Sequence, residues 1–316
     1  TTLERAFLYD NRINMFSMQE GESAALLLAD PYGYNYEGLS TGRYDVIAWN
    51  SNLNELEVVR SVEGFDSGQK MGLAGGNAGD VNGDGLEDEV LLTDTRSTMD
   101  PFGQLTSQQY GSMDLYYGGQ SYPDVTVVSN LFYWRIADQF AGAGDYNGDG
   151  YADIAFSAKN SNVFQRDSGR TQILWGPLSA GTYDVVDLNP LILTGLVEGM
   201  QANCPQSVGD IDGDGKDDLL IGAKMENWYE EANDGAFLWF GHDAEGTHQL
   251  DKGTTAILSN RNRSRQSGWC NFGIRVKTGL GDINQDGFDD FIIGGSSSNT
   301  DPENRDGLWL FMGSER

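Results

Sequence analysis

The chain has 316 residues, of which 48 are Asp or Glu, 20 are Lys or Arg and 2 are His, for a formal net charge of −28 and an isoelectric point near 4.1. A surface this acidic has no general basic face with which to neutralise phosphates, which excludes nucleic acid as a partner. The 39% hydrophobic content, with 14 Tyr, 14 Phe and 7 Trp, excludes a disordered acidic chain, and no apolar run approaches the ~20 residues that cross a bilayer as a helix, so direct membrane insertion is not expected.

In chain order, Leu3 to Tyr9 is the first candidate strand. Met15 to Met18, Ala24 to Leu28, Arg43 to Trp49 and Leu56 to Val59 follow as four more, the first pair separated only by Gln19-Glu20-Gly21-Glu22, the length of a tight hairpin. Ala24 to Ala29 is the longest apolar run, too short and wrongly flanked for a signal peptide. Beyond about residue 60 the chain repeats itself. Four segments align without gaps: Asp80-Val-Asn82-Gly-Asp84-Gly85-Leu-Glu-Asp88, Asp145-Tyr-Asn147-Gly-Asp149-Gly150-Tyr-Ala-Asp153, Asp210-Ile-Asp212-Gly-Asp214-Gly215-Lys-Asp-Asp218 and Asp282-Ile-Asn284-Gln-Asp286-Gly287-Phe-Asp-Asp290, with starts 65, 65 and 72 residues apart. An apolar, β-prone run follows each. After a loop comes a strand opened by Gly and rich in aromatics: Gly111 to Tyr117, Gly169 to Trp175, Gly235 to Phe240 and Gly307 to Met312. A further strand, such as Val125 to Val128 or Thr255 to Leu258, precedes the next repeat.

Repeats of about 65 residues with short strands and no helical period are the pattern of propeller blades, each sheet burying its faces against its neighbours. The expected fold is all-β, a single β-propeller domain over 1–316 with four-stranded blades at approximately 11–62, 63–130, 131–194, 195–260 and 261–316. If residues 3–9 complete the last blade, five blades close with no open sheet edge. The alternative is part of a larger ring.

The acidic segments read as metal loops. Asp, Asn or Asp, and Asp at positions 1, 3 and 5 place oxygens inside a tight turn, Gly at 6 makes the bend, position 7 offers a backbone carbonyl and position 9 another carboxylate. Oxygen ligands of this number in a flexible loop suit Ca²⁺ better than Mg²⁺. The expected ligands are Asp80, Asn82, Asp84, Leu86 and Asp88; Asp145, Asn147, Asp149, Tyr151 and Asp153; Asp210, Asp212, Asp214, Lys216 and Asp218; and Asp282, Asn284, Asp286, Phe288 and Asp290. An EF-hand would carry Glu at position 12, where this chain has Leu91, Phe156, Ile221 and Ile293. About four structural Ca²⁺ ions are expected, and weak sites of this kind fill outside cells, which points to an extracellular or cell-surface location.

These segments resemble the FG-GAP repeats of the integrin alpha-subunit N-terminal β-propeller, over roughly residues 60–316. Asn271-Phe272-Gly273 and, loosely, Gln139-Phe140-Ala141 match the Phe-Gly element, and Gly222-Ala223 and Gly294-Gly295 match the closing element. Gln285 departs from the usual Gly at loop position 4. The resemblance implies a calcium-binding propeller, of seven blades in integrins, whose face opposite the calcium loops contacts ligand and a partner subunit.

In a four-stranded meander that opposite face carries the 2–3 and 4–1 connections. Aromatics gather there, Tyr32, Tyr34, Tyr36, Phe102, Tyr110, Trp228 and Tyr229 in the former, Phe132-Tyr133-Trp134-Arg135 and Arg261, Arg263, Arg265 and Trp269 in the latter. Aromatics and Arg on loops of a rigid scaffold suit a protein or glycan ligand, and Tyr34, Trp134, Arg135, Trp228, Arg261, Arg263, Arg265 and Trp269 are the candidate contacts. Trp175, Trp239 and Trp309 recur on the third strand and are expected in the core between blades. His242 and His248 fall in a 3–4 connection and are expected in a solvated turn; no His-Glu-x-x-His pair or nucleophile elbow accompanies them. The sequence therefore reads as an adhesion or ligand-binding module rather than an enzyme, the alternatives being a carbohydrate-active enzyme on the same scaffold and an architectural subunit of an extracellular assembly. Cys204 and Cys270, 66 residues apart, fit either a disulfide between neighbouring repeats or two buried thiols, and Asn262-Arg263-Ser264 is a lone glycosylation sequon.

Overall fold

A computed structural model describes residues 14–20, 23–34, 41–64, 70–93, 96–99, 105–109, 111–120, 122–129, 136, 139–159, 161–163, 165–188, 190–224, 234–250, 256–259, 279–295 and 307–316. These residues are almost wholly strand and turn, with two short 3-10 turns at Tyr117–Gly119 and Val185–Leu188. No helix among them is long and apolar enough to cross a membrane. The chain divides into two compact units, Thr1–Asp80, Asp84–Ala137 and Ser179–Val185 in the first, Val81–Gly83, Asp138–Leu178 and Val186–Arg316 in the second.

The first unit begins with an antiparallel meander, β1 (Asn14–Glu20), β2 (Ser23–Asp30), β3 (Arg43–Asn50) and β4 (Glu55–Glu63). Glu20 faces Ser23 in the β1–β2 register, as the hairpin expectation requires. A second sheet starts with β5 (Met71–Gly79) and β6 (Asp88–Thr93), passes through a separate hairpin of β7 (Arg96–Met99) and β8 (Leu105–Gln109), and continues with β9 (Ser112–Tyr116) and β10 (Val125–Val128). Alternate residues of β3 and their partners make the core here: Leu27, Ala29, Tyr44, Val46, Met71, Leu91 and Tyr116 are buried together. That is the period-2 burial expected of a pleated strand with one face inward.

The second unit contains β11 (Gln139–Gly144), β12 (Asp153–Ala158) and β13 (Arg170–Leu174); the chain then supplies β14 (Gly181–Asp184) to the first unit and returns as β15 (Leu191–Gly195). The next sheet is β16 (Asn203–Gly209), β17 (Asp218–Lys224), β18 (Asp234–Trp239) and, after β19 (Thr247–Leu250), β20 (Ala256–Ser259). A three-stranded sheet of β21 (Gly279–Gly281), β22 (Asp290–Gly295) and β23 (Gly307–Phe311) follows. Tyr146, Ile173, Leu193, Leu219, Phe237 and Leu250 share one core, and Val208, Leu220, Phe291 and Ile293 share another.

Consecutive antiparallel sheets of this kind are consistent with propeller blades. The proposed closing strand, Leu3 to Tyr9, lies outside the described residues. The structure adds a feature that the repeat pattern does not announce. β14 pairs in parallel with β10, and β19 pairs in parallel with β15, so two connections between a third and a fourth strand reach back to the outer edge of the preceding sheet. Both carry the same short pattern, Gly181-Thr182-Tyr183-Asp184-Val185 and Gly246-Thr247-His248-Gln249-Leu250. Its last residue, Val185 or Leu250, is fully buried and anchors a strand otherwise made of polar residues.

Candidate metal loops

All four acidic segments join the first strand of a sheet to the second, at β5–β6, β11–β12, β16–β17 and β21–β22. Their shape is built from their own side chains. The position-1 carboxylate accepts the N–H of position 5 at 2.9–3.1 Å on one oxygen and that of position 6 at 2.8–2.9 Å on the other, in each of the four loops. The position-5 carboxylate then accepts the N–H of position 7 at 2.8–3.1 Å. Such side-chain-to-backbone bonds let Asp and Asn impose a turn on the chain. At Asp282, the bonds from Gly287 and its neighbours hold the carboxyl below the usual carboxylate range.

Position 9 anchors the loop to its sheet. Asp88, Asp153, Asp218 and Asp290 are all buried. Each accepts on Oδ1 the N–H of the glycine that follows the third strand, Gly118, Gly176, Gly241 or Gly313, at 2.7–2.9 Å. On Oδ2, Asp153, Asp218 and Asp290 accept the N–H of position 2 of their own loop, from Tyr146, Ile211 and Ile283 at 3.0–3.1 Å. The 1–2 and 3–4 connections therefore meet at the same end of each sheet. Burial pushes the carboxyls of Asp153 and Asp218 up to about 7, against these hydrogen bonds, which act in the opposite direction.

In the third loop the carboxylates converge. Asp210, Asp212 and Asp218 each present an oxygen, and the three lie within 4.8 Å of one another. Asp212 is 8% exposed, and burial followed by the Asp214 carboxylate raises its proton affinity. Arg316 approaches Asp212 at 3.4 Å from a largely exposed position. Three hard oxygen donors drawn together on one turn fit a calcium ion, and the Lys216 carbonyl, at position 7, is a further oxygen of the same loop. These residues, with Asp214, are the ones that would hold it.

Successive loops of the second unit are joined to one another. Asp217, at position 8 of the third loop, accepts the N–H of Asp145 on Oδ2 at 2.7 Å and donates its own N–H to the Asp145 carbonyl at 3.1 Å. Asp289 repeats this with Asp210, at 3.1 and 2.9 Å. Side chains at position 7 pack on the position-4 glycine of the preceding loop. A Cβ on Gly83 would lie 2.5 Å from the Tyr151 ring, one on Gly148 3.1 Å from Lys216 and one on Gly213 2.6 Å from the Phe288 ring. Gln285 occupies the same position 4 in the last of the four loops, with a backbone in the left-handed region at φ 63°. Sequence reasoning missed these links because position 8 varies, being Glu87, Ala152, Asp217 and Asp289.

Other expectations fare unevenly. Tyr34 is 69% exposed and Tyr32 40%, while Trp134, Arg135, Trp228, Arg261, Arg263, Arg265 and Trp269 lie outside the described residues. Trp239 is buried in the core with Trp175 packed against it; Trp309, at 37%, is exposed rather than core. His242 and His248 are not in a simple solvated turn. His248 lies in β19. His242 is half-buried, accepts the Trp239 indole N–H at 2.7 Å on Nε2 and faces the Ala244 N–H at 3.0 Å with Nδ1. Tyr146 stacks with Trp175 and meets His242 edge-on, closing an aromatic cluster. Cys204 is buried, and Cys270 lies outside the described residues.

Comparison with known proteins agrees with the loops. The FG-GAP repeat family matches residues 139–174 and 207–237, which hold the second and third loops. Integrin alpha-PS2 of Drosophila melanogaster is 28% identical over 183 residues, an alignment that covers 54% of this chain and only 11% of that relative.

Proposed function

We propose that this chain, which matches the FG-GAP repeat family over residues 139–174 and 207–237 and is similar over part of its length to an integrin alpha subunit, is a calcium-stabilised β-propeller at the cell surface or outside the cell, acting as an adhesion or ligand-binding module. The observation that carries the reading is the convergence of Asp210, Asp212 and Asp218 in a loop whose turn geometry recurs three more times. All four loops would take calcium through positions 1, 3, 5, 7 and 9, and the ring would have five blades, the last completed by residues 3–9. Calcium would fix the 1–2 connections and offset repulsion among the carboxylates.

With calcium at one end of each sheet, the ligand end is that of the 2–3 and 4–1 connections. Exposed Tyr34 supports this choice, and Trp134, Arg135, Trp228, Arg261, Arg263, Arg265 and Trp269 complete the candidate surface. The ligand is a protein, including a partner subunit, or a glycan. The test is calcium stoichiometry by elemental analysis, followed by binding of the calcium-loaded chain to a glycan array, with Tyr34→Ala, Trp134→Ala and Trp228→Ala compared. Stoichiometric calcium and a sugar signal lost in these variants supports the reading; absence of calcium overturns it, and silence across the array with calcium bound removes the glycan and leaves a protein ligand.

A further inference from the structure

We infer that Asp217 and Asp289 are positioning residues that make the second, third and fourth loops bind calcium as a coupled series rather than as separate sites. The inference rests on the reading of these loops as calcium sites. Asp217 stands between two residues that would serve the third ion, the Lys216 carbonyl and the Asp218 carboxylate, yet its own side chain is committed to the second loop. Its Oδ2 and its N–H hold both the N–H and the carbonyl of Asp145, the first ligand of that loop. Asp289 stands in the same place between Phe288 and Asp290 and holds Asp210 of the third loop in the same way.

The close approach is built into the backbone. The residue before each held aspartate is a glycine in the left-handed region, Gly144 at φ 68° and Gly209 at φ 79°. A Cβ on Gly144 would fall 2.0 Å from Oδ2 of Asp217, and one on Gly209 2.1 Å from Oδ2 of Asp289. Any other residue would both strain the backbone and displace the linking carboxylate. The second contact runs in the same direction, since Lys216 and Phe288, which offer the position-7 carbonyls, lay their side chains over Gly148 and Gly213 of the preceding loops.

An ion that orders residues 216–218 in the third loop thereby fixes Asp145, and one that orders 288–290 fixes Asp210. Ordering done by the first ion is not repeated for the next, which is positive coupling between sites. The first loop lacks the carboxylate link, because the second loop has Ala152 at position 8.

The experiment is a calcium titration of the full chain by calorimetry, with metal content measured in parallel. The unaltered chain is expected to bind several ions with a Hill coefficient above 1. Asp217→Ala with Asp289→Ala should bring the coefficient to 1 and weaken binding on the order of fivefold, the low end of usual site–site coupling. Asp217→Asn with Asp289→Asn keeps an acceptor for the held N–H and should retain cooperativity, which a general loss of folding would not. As a readout without substitution, calcium should slow hydrogen exchange at the Asp145 and Asp210 amides together with the loops that follow them. Failure of the unaltered chain to bind calcium overturns the functional reading beneath the inference. Calcium bound with a coefficient of 1, or cooperativity unchanged in the alanine variant, overturns the coupling alone.

Discussion

Arg60 on β4 and Glu89 on β6 form an ion pair at 2.5 Å with side chains only 5% and 2% exposed. The same guanidinium donates to the Gln120 carbonyl and lies 5.7 Å from the centre of the Tyr44 ring. It thus ties the last strand of the first sheet to the second sheet within one unit. Breaking one side of a buried pair leaves the other charge uncompensated, at about 3–5 kcal/mol, whereas replacing both with apolar groups is often neutral. Arg60→Met should therefore destabilise by about that amount in urea unfolding, and Arg60→Met with Glu89→Leu should recover most of it. Additive losses in the double variant would show that the two residues act separately.

Chelation should lower stability. With sites of ~10⁻⁴ M affinity in ~1 mM calcium, mass action gives about 1.4 kcal/mol for each occupied site. The melting temperature is expected to fall by several degrees in EDTA and to return on adding calcium, with Asp212→Ala showing a smaller fall than the unaltered chain. A melt unchanged by verified metal removal would rule out a structural role for the ion.

Asp218 has a structural task that does not depend on metal. It accepts the N–H groups of Ile211 and Gly241, the latter at 2.7 Å in a buried position. Removing the acceptor leaves both donors without it, so Asp218→Ala should cost about 2–4 kcal/mol even in chelator. Asp218→Asn keeps one acceptor oxygen and should cost less. Exposed Asp243→Ala serves as the control and should change unfolding by under about 0.5 kcal/mol.

His242 should stay neutral below its ordinary titration range. Burial lowers its proton affinity first, followed by His248 and Lys216, with Asp243 acting in the opposite direction. An imidazolium would also turn N–H toward N–H at both Trp239 and Ala244. The unfolded chain takes up this proton near pH 6.5 and the folded chain only lower, so the unfolded state binds more protons in that window. Stability from this residue is full above pH 6.5, falls as the pH drops toward the folded value, and levels off below it. Comparing melts of the unaltered chain and His242→Gln at pH 7.5 and 5.5 should show a steeper acid loss in the former; ring-proton NMR should place the His242 titration below the ordinary range of a free imidazole.

What could be read in the sequence follows the range of the interactions. The Asp-x-Asn-x-Asp-Gly turns are legible because Asp80, Asp145, Asp210 and Asp282 bond to amides four and five residues on. The strands after them are legible because Leu219 to Ile221 and Ile154 to Phe156 are apolar and fully inside. Asp217 and Asp218 look interchangeable in the sequence, yet one holds the preceding loop and the other its own. β14 is a four-residue, half-exposed strand whose partner, β10, begins at Val125, and the short Gly-Thr pattern that it shares with the start of β19 says nothing of which strand it joins. His242 reads as part of a polar turn because its burial comes partly from Tyr146, far away in the chain.

The back-reaching strands alter what counts as an exchangeable part. A chimaera spliced at the sequence repeats would separate β19 from β15, because Thr247–Leu250 lies within the following repeat. The donor segment would arrive carrying a strand shaped for a neighbour it no longer has, and the host would lose the cover over its outer edge. Recombination that respects this architecture must transplant Gly246–Leu250 together with the sheet it covers, or replace both edges at once; the heritable module is staggered by one connection relative to the repeat that the eye finds in the sequence.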